Sequence, residues 1–259
     1  METGFDFGSE KVHFIKKPNV AMLTGKGVSS GGAGEVWHLF EQQLDYPITL
    51  INADEINGAA LKNMDVLILP DGNYKFFADK DAAAEIKNWV QQGGKIIAME
   101  SAAAQIAKAD WGIKLKKEDD DKKEDKKDDK NIYADVRRFE NRERESISDF
   151  IPGSIYKVTL DDSHPLAFGY TGTYFTLKQN GDLYEFLKEG WNVGTIKKDN
   201  QVAGFVGSRL KDKLKDGTVI GVQDLGKGSI VFFADDPIFR SFWENGKLLF
   251  ANAVFLVGQ

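Results

Sequence analysis

A strand that runs almost directly into a helix marks the centre of this sequence: Lys95-Ile96-Ile97-Ala98-Met99 is followed, after Glu100, by Ser101-Ala102-Ala103-Ala104-Gln105-Ile106-Ala107. After its lysine the first segment is continuously apolar, which is typical of a parallel strand that is covered on both faces. The second segment has the alanine-rich composition of a helix. A strand followed at once by a helix is half of a βαβ crossover, so this stretch predicts a parallel sheet.

The same alternation precedes this unit along the chain. Strands are expected at residues 20–23, 48–51 and 66–69, and helices at residues 35–44 and 81–90. The linkers between them are short, as in proteins whose helices pack back on the sheet that they connect. The sequence therefore predicts an α/β fold with a doubly wound, mainly parallel sheet.

The pattern changes at residue 116, where fifteen consecutive charged residues begin, eight of them acidic and seven basic. Such a run cannot enter a core, so residues 114–132 are predicted to be a disordered insertion. From Ser154 onward apolar residues recur with a period near two, which predicts a mostly antiparallel β elaboration, and a helix is expected at 243–256. We expect residues 17–259 to form a single domain and residues 1–16 to be a linker or lead-in.

The composition excludes several classes of function. There is no cysteine, which rules out disulfides, thiolate zinc sites and a cysteine nucleophile. The net charge of −6 argues against nucleic-acid binding. No apolar run reaches the roughly 20 residues of a membrane helix, and the first eight residues do not resemble a signal peptide.

Ligands of a doubly wound sheet bind beyond the carboxyl ends of the strands, which directs attention to the loops there. The candidate ligand-binding residues in or near these loops are Gly25, Ser29, Ser30, Glu35, Asp71, Asp235, Asp236 and Arg240. The glycine-rich loop 25–34 matches neither GxxxxGK[ST] nor GxGxxG, so we interpret it as a close-packed turn rather than a phosphate site. The three aspartates leave open a hard-cation site or an acid–base pair for glycoside hydrolysis.

Ser101 and Glu100 are the weak catalytic candidates, because they lie between a parallel strand and a helix, where a nucleophile elbow would be. A serine nucleophile needs a base, and the chain has three histidines, His13, His38 and His164. None has an evident place beside Ser101, so a helix N-cap is the alternative interpretation of this serine. The spacing of the histidines predicts no metal site, and nothing predicts a cofactor.

Several motifs together resemble the C-terminal glutamine amidotransferase-like, flavodoxin-like domain of zinc carboxypeptidases from Bacteroidetes-type bacteria. They are Lys17-Pro18-Asn19-Val20-Ala21-Met22-Leu23-Thr24-Gly25, Leu67-Ile68-Leu69-Pro70-Asp71-Gly72-Asn73-Tyr74, Phe233-Ala234-Asp235-Asp236-Pro237, and the stretches 33–39, 89–94, 164–170 and 249–253. The resemblance implies a class I amidotransferase architecture. Related folds carry a cysteine at the elbow and a partner histidine after a late strand; here Ser101 matches the elbow and Asp235-Asp236 stand in place of the histidine.

The resemblance further implies a non-catalytic accessory domain, covalently linked to the zinc peptidase domain of a periplasmic or extracellular protein. We expect it to position substrate, to stabilise the parent or to form a homodimer. Two alternatives stay open: a hydrolase that uses Ser101, and a small-ligand module that binds a peptide or a glycan.

Overall fold

The computed structural model describes residues 15–116 and 138–258. Most of the predicted lead-in and of the predicted insertion therefore lies outside the described residues. The first three residues of the insertion, 114–116, are placed and belong to the folded part. Leu115 forms a β-bridge with Tyr184, and the backbone N–H of Lys116 donates to the carbonyl of Leu183 at 2.7 Å.

The described chain contains a ten-stranded sheet and seven α-helices. The strands are β1 (Val20–Thr24), β2 (Thr49–Asn52), β3 (Val66–Leu69), β4 (Lys95–Met99), β5 (Gly153–Leu160), β6 (Thr173–Lys178), β7 (Gly190–Ile196), β8 (Gln201–Phe205), β9 (Gly217–Leu225) and β10 (Gly228–Phe233). The helices are α1 (Ser30–His38), α2 (Gly58–Leu61), α3 (Lys80–Gln91), α4 (Ser101–Lys108), α5 (Arg142–Ser148), α6 (Ser208–Lys213) and α7 (Glu244–Phe255).

The strands form one mixed sheet in the order β2-β1-β3-β4-β10-β9-β7-β5-β6, with β8 also paired to β5. The first five are parallel, and their order is that of a flavodoxin-like, doubly wound sheet. The remaining strands pair antiparallel. Strand β10 is parallel to β4 and antiparallel to β9, so it joins the two halves. The mixed α/β architecture follows the sequence prediction.

The start of α1 differs from the sequence prediction. The helix begins at Ser30, five residues before the expected start, because the side chain of Ser29 caps it by accepting from the backbone N–H of Gly32 at 3.3 Å. Three glycines in its first turns conceal this start from propensity-based prediction. The helix continues into a π-helical turn at Leu39–Gln43.

The antiparallel half carries an unusual inner face. Alternate residues of β5 and β6 are buried, and on β6 the buried set is Tyr174, Thr176 and Lys178. Tyr156 on β5 pairs with Thr176 and shares this burial. Polar side chains at the buried positions of a strand need partners, and Thr176 and Lys178 find theirs at Asp235, beyond the end of β10. The hydroxyls of Tyr156 and Tyr174 have no hydrogen-bond partner among the described residues.

Within residues 15–116 and 138–258, no helix has the length and apolarity that a membrane crossing requires.

Candidate functional site

The carboxyl ends of the parallel strands bring a group of acidic side chains together. Asp71 follows β3, Glu100 follows β4, and Asp235 and Asp236 follow β10. Glu35 reaches the same place from α1, where its carboxylate accepts the backbone N–H of Arg240 at 2.8 Å. We call these five residues the carboxyl cluster.

Glu100 has the backbone conformation of a nucleophile elbow. Its φ is 49° and its ψ is −121°, a combination that costs a non-glycine residue on the order of 1–3 kcal/mol. Its backbone N–H donates to the carbonyl of Phe233 at 2.9 Å, and the next N–H, of Ser101, donates to Oδ1 of Asp71 at 3.2 Å. These two bonds hold the turn between β4 and α4.

The expectation that Ser101 occupies the elbow is therefore wrong by one position. Ser101 is the first residue of α4, and Glu100 is both the strained residue and the N-cap, with no side-chain capping bond. The alternative interpretation of Ser101 as the N-cap is wrong for the same reason. The tight turn lies at Glu100, the residue directly after Met99, between the hydrogen bonds to Phe233 and Asp71.

Ser101 has no histidine partner among the residues that the structure describes. His38 lies half-buried on α1, and its Nδ1 has no hydrogen-bond partner within residues 15–116 and 138–258. His164 lies in a turn after β5, where its Nδ1 accepts the backbone N–H of Leu166 at 3.1 Å and its ring contacts Trp191. His13 falls outside the described residues.

The antiparallel half supplies a cation that sequence reasoning did not identify. Nζ of Lys178, whose side chain is 0% exposed, lies 2.8 Å from Oδ1 of Asp235 and also donates to the carbonyl of Asp182. The hydroxyl of Thr176 donates to the other Asp235 oxygen at 2.9 Å. The alternation of side chains along β6 could have predicted this, because Thr176 and Lys178 lie on the same face of the strand as the apolar ring of Tyr174.

Burial, assisted by the crowding of carboxyls, raises the pKa of two members of the carboxyl cluster. Burial raises the pKa of Glu100 to about 8, and the charges of Asp71, Asp235 and Glu35 add to this rise, whereas Lys178 opposes it. Burial raises the pKa of Asp236 to about 9, assisted by a hydrogen bond to Glu35 and by that residue's charge. The N–H of Ile238, which donates to Asp236 at 2.9 Å, opposes the shift. Glu100 and Asp236 therefore hold their protons at neutral pH.

The glycine-rich loop contributes less than the acidic residues. Gly25 lies against the side chain of Asn52, and Ser29 is occupied in capping α1, although its N–H donates to the carbonyl of Asp71 at 2.8 Å. Ser30 is exposed. At Gly27, with φ +89°, a Cβ would lie 2.4 Å from the carbonyl oxygen of Asn73, so close packing explains the glycine.

Arg240 lies beside the carboxyl cluster, but its side chain does not neutralise it. Its backbone N–H is the donor to Glu35, while its exposed guanidinium stands 5.1 Å from the ring centroid of Phe239. Nowhere in residues 15–116 and 138–258 do three histidine or acidic side chains adopt an arrangement that could hold a metal ion.

The three-dimensional comparisons agree on one kind of fold. A GMP synthase-like protein from Thermoplasma acidophilum aligns with a TM-score of 0.56 and 12% identity, over 92% of this chain and 94% of its own. A ThuA-like protein from Bacteroides uniformis gives 0.58 and 11%, over 95% and 94%. A glutamine amidotransferase from Thermotoga maritima gives 0.52 and 8%, over 92% and 96%.

The chain has a glutamine amidotransferase-like fold. At these identities the comparisons show the fold alone. No protein-family model matches the sequence, and no curated protein matches it significantly. Nothing among the comparisons links the chain to zinc carboxypeptidases.

Proposed function

We propose that this amidotransferase-like chain is a small-ligand-binding module whose carboxyl cluster takes an amine or guanidinium group, such as a peptide carries. The observation that supports this is the imbalance of charge at the carboxyl ends of the parallel strands. Five carboxyls meet there, and Lys178 is buried in an ion pair with only one of them, Asp235. A cluster with this surplus of acidic groups favours a cation.

Because the pKa values of Glu100 and Asp236 are raised, we expect the binding of a cation to release protons. Each carboxyl keeps its proton because burial disfavours the charged form and because ionisation would place a further negative charge beside the others. A ligand cation offsets the repulsion between the carboxylates, lowers both pKa values and displaces protons into solvent. Binding therefore exchanges protons for a positively charged group, with the strained Glu100 as the central contact.

The experiment is calorimetric titration with agmatine and with the dipeptide Lys-Lys, repeated in buffers of different ionisation enthalpy. We expect binding with net proton release, and we expect Glu100→Gln to weaken it roughly tenfold, the loss of one charge-assisted contact. The matched control is Glu143→Gln on α5, whose side chain is 81% exposed and which should leave binding unchanged. Binding of neither cation, or equal binding by the Glu100 variant, would contradict the proposal.

An accessory role in a periplasmic or extracellular zinc carboxypeptidase, as a linked domain that holds a peptide or stabilises a dimer, is compatible with such a module. Its support is the set of sequence motifs that resemble the corresponding domain of those enzymes. The test is whether the native reading frame encodes a zinc peptidase domain upstream of this chain; a frame without one would exclude the role.

The Ser101 hydrolase has less support, because no histidine within the described ranges contacts that serine. Esterase and amidase turnover should be the same for the wild type and Ser101→Ala. Turnover that disappears in the variant would show a serine hydrolase instead.

A further inference from the structure

A pocket that combines polar groups with an exposed indole lies on the antiparallel half, away from the carboxyl cluster. It has a volume of about 300 Å³ and is lined by Asp161, Ser163, His164, Pro165 and Trp191. We call it the Trp191 pocket. His164 interacts electrostatically with Asp224, which pairs with Ser229 near the start of β10. Asp235, a member of the carboxyl cluster, instead follows the end of that strand. The pocket is thus displaced toward the amino ends of the parallel strands.

Hydrogen bonds brace the turn that forms one wall of this pocket. Oδ1 of Asp161 accepts both the N–H of Ser163, at 3.1 Å, and its hydroxyl, at 2.5 Å. The backbone N–H of Asp161 donates to the carbonyl of Val193 on β7 at 2.8 Å, which ties the turn to the strand that carries Trp191. A preformed wall lowers the entropy lost on binding.

The wall of the pocket offers both a hydrogen-bond acceptor and a donor, which suits a ligand that carries hydroxyl groups. Oδ2 of the exposed Asp161 has no hydrogen bond in the part of the chain that the structure describes, so it can accept from ligand hydroxyls. His164 accepts at Nδ1 from Leu166, which leaves the proton of the neutral ring on Nε2 as a donor. Burial lowers the pKa of His164, so the neutral ring is the form present at neutral pH.

Trp191 supplies an apolar platform beside these polar groups. Its side chain is 55% exposed although it lies on a strand in the interior of the sheet order, and its ring centroid is 5.9 Å from that of His164. An indole in this position can cover the C–H face of a sugar ring while the polar groups bind its hydroxyls.

We propose that the Trp191 pocket is a glycan-binding subsite that takes one pyranose unit, with the ring on Trp191 and adjacent hydroxyls on Asp161 and His164. This subsite is independent of the cation site at the carboxyl cluster. A volume near 300 Å³ is at the lower end of the range for small-molecule pockets and suits a single sugar unit of a longer chain.

The test follows the indole N–H resonances of the five tryptophans of the ¹⁵N-labelled protein during titration with cellohexaose, mannohexaose or chitohexaose. We expect one of these glycans to shift the Trp191 resonance saturably, with a dissociation constant of about 1 mM, as suits one shallow subsite. Asp161→Asn should weaken binding roughly tenfold by this resonance, and Trp191→Ala, which removes the reporting indole, should do so by the backbone amide shifts of Ser163 and His164 in the same labelled protein. Asp161→Asn keeps the acceptor for Ser163, so it decides the result if Trp191→Ala does not fold.

Two control variants locate the binding. Trp37→Ala, which removes a 42% exposed indole on α1, and Glu100→Gln, at the cation site, should both leave glycan binding unchanged. No shift with any of the three glycans would overturn the proposal. So would loss of glycan binding in either control, or a Trp191 shift produced by tetramethylammonium and by none of the glycans.

Discussion

At the scale of single residues, the raised pKa of Glu100 makes the stability of the protein depend on pH. Its pKa is about 8 in the folded protein against 4.5 for an ordinary glutamate, so the folded state holds a proton that the unfolded chain has lost between those pH values. Stability that is present below about pH 4.5 is therefore lost as the pH rises toward 8. We expect Glu100→Gln to reduce this loss by at least about 1 kcal/mol.

The free energy of unfolding is measured by urea denaturation of the wild type and of Glu100→Gln, each near pH 4.5 and near pH 8. The prediction concerns how much stability each protein loses between these two pH values. Asp236, whose pKa is about 9, and Asp182, whose pKa is raised by burial, contribute to the pH dependence that remains in the variant, and Glu143→Gln is the exposed control. Parallel curves for Glu100→Gln and the wild type would show that Glu100 ionises normally.

The sequence indicated the right strand-to-helix turn but the wrong residue within it. Strand and helix periodicity locate the junction between Met99 and Ser101, yet the positive φ of Glu100 is set by hydrogen bonds to Phe233 and Asp71, which are remote in the chain. A non-glycine residue in this conformation has no compositional signal. By contrast, the acidic candidates Asp71, Asp235 and Asp236 were predictable, because they follow strands whose carboxyl ends meet at one edge.

At the scale of elements, the ion pair between Lys178 and Asp235 attaches β6 to the end of β10. Removal of one member leaves a buried charge without a partner, so we expect Lys178→Met to destabilise the protein by about 3 kcal/mol or more. The double variant Lys178→Met with Asp235→Leu should recover much of this loss. The free energy of unfolding in urea is the measurement.

A surface pair provides the comparison. Arg209 and Asp149 are 2.9 Å apart, with side chains 49% and 46% exposed, and Arg209→Met should cost less than about 1 kcal/mol because water screens the pair. Equal losses for Lys178→Met and Arg209→Met would mean that the buried pair contributes no more than the exposed one.

Helix α7 is attached to the sheet by another buried lysine. Nζ of Lys95, on β4, donates to the carbonyls of Val254 and Val257 at 2.8 and 2.6 Å, where α7 ends. Lys95→Met leaves these carbonyls without that donor, at a cost of about 1–3 kcal/mol. Hydrogen exchange should become faster in the last turn of α7 in this variant and stay unchanged in Lys227→Met, a replacement of an exposed lysine in the β9–β10 turn. Unchanged exchange in both would contradict the capping role.

At the scale of the whole molecule, the parallel half was predictable and the position of the antiparallel half was not. Each parallel strand is a short apolar run between turn signals, and crossover rules then limit its neighbours. The order β9-β7-β5-β6 depends on pairings between distant segments, and it brings Lys178 to Asp235 across 57 residues of sequence. The charge balance of the site therefore could not follow from local patterns.

Because one sheet runs through both halves, we expect a single unfolding transition. Strand β10 has five register pairs with β4 and six with β9, so neither half can separate without breaking a ladder. Fluorescence of a variant that keeps only Trp89, on α3, should give the same urea midpoint as one that keeps only Trp191, on β7, and both should match far-UV circular dichroism. Lys178→Met should move all three midpoints together. Separate midpoints, with only the Trp191 signal responding to Lys178→Met, would instead show that residues 17–259 comprise two folding units.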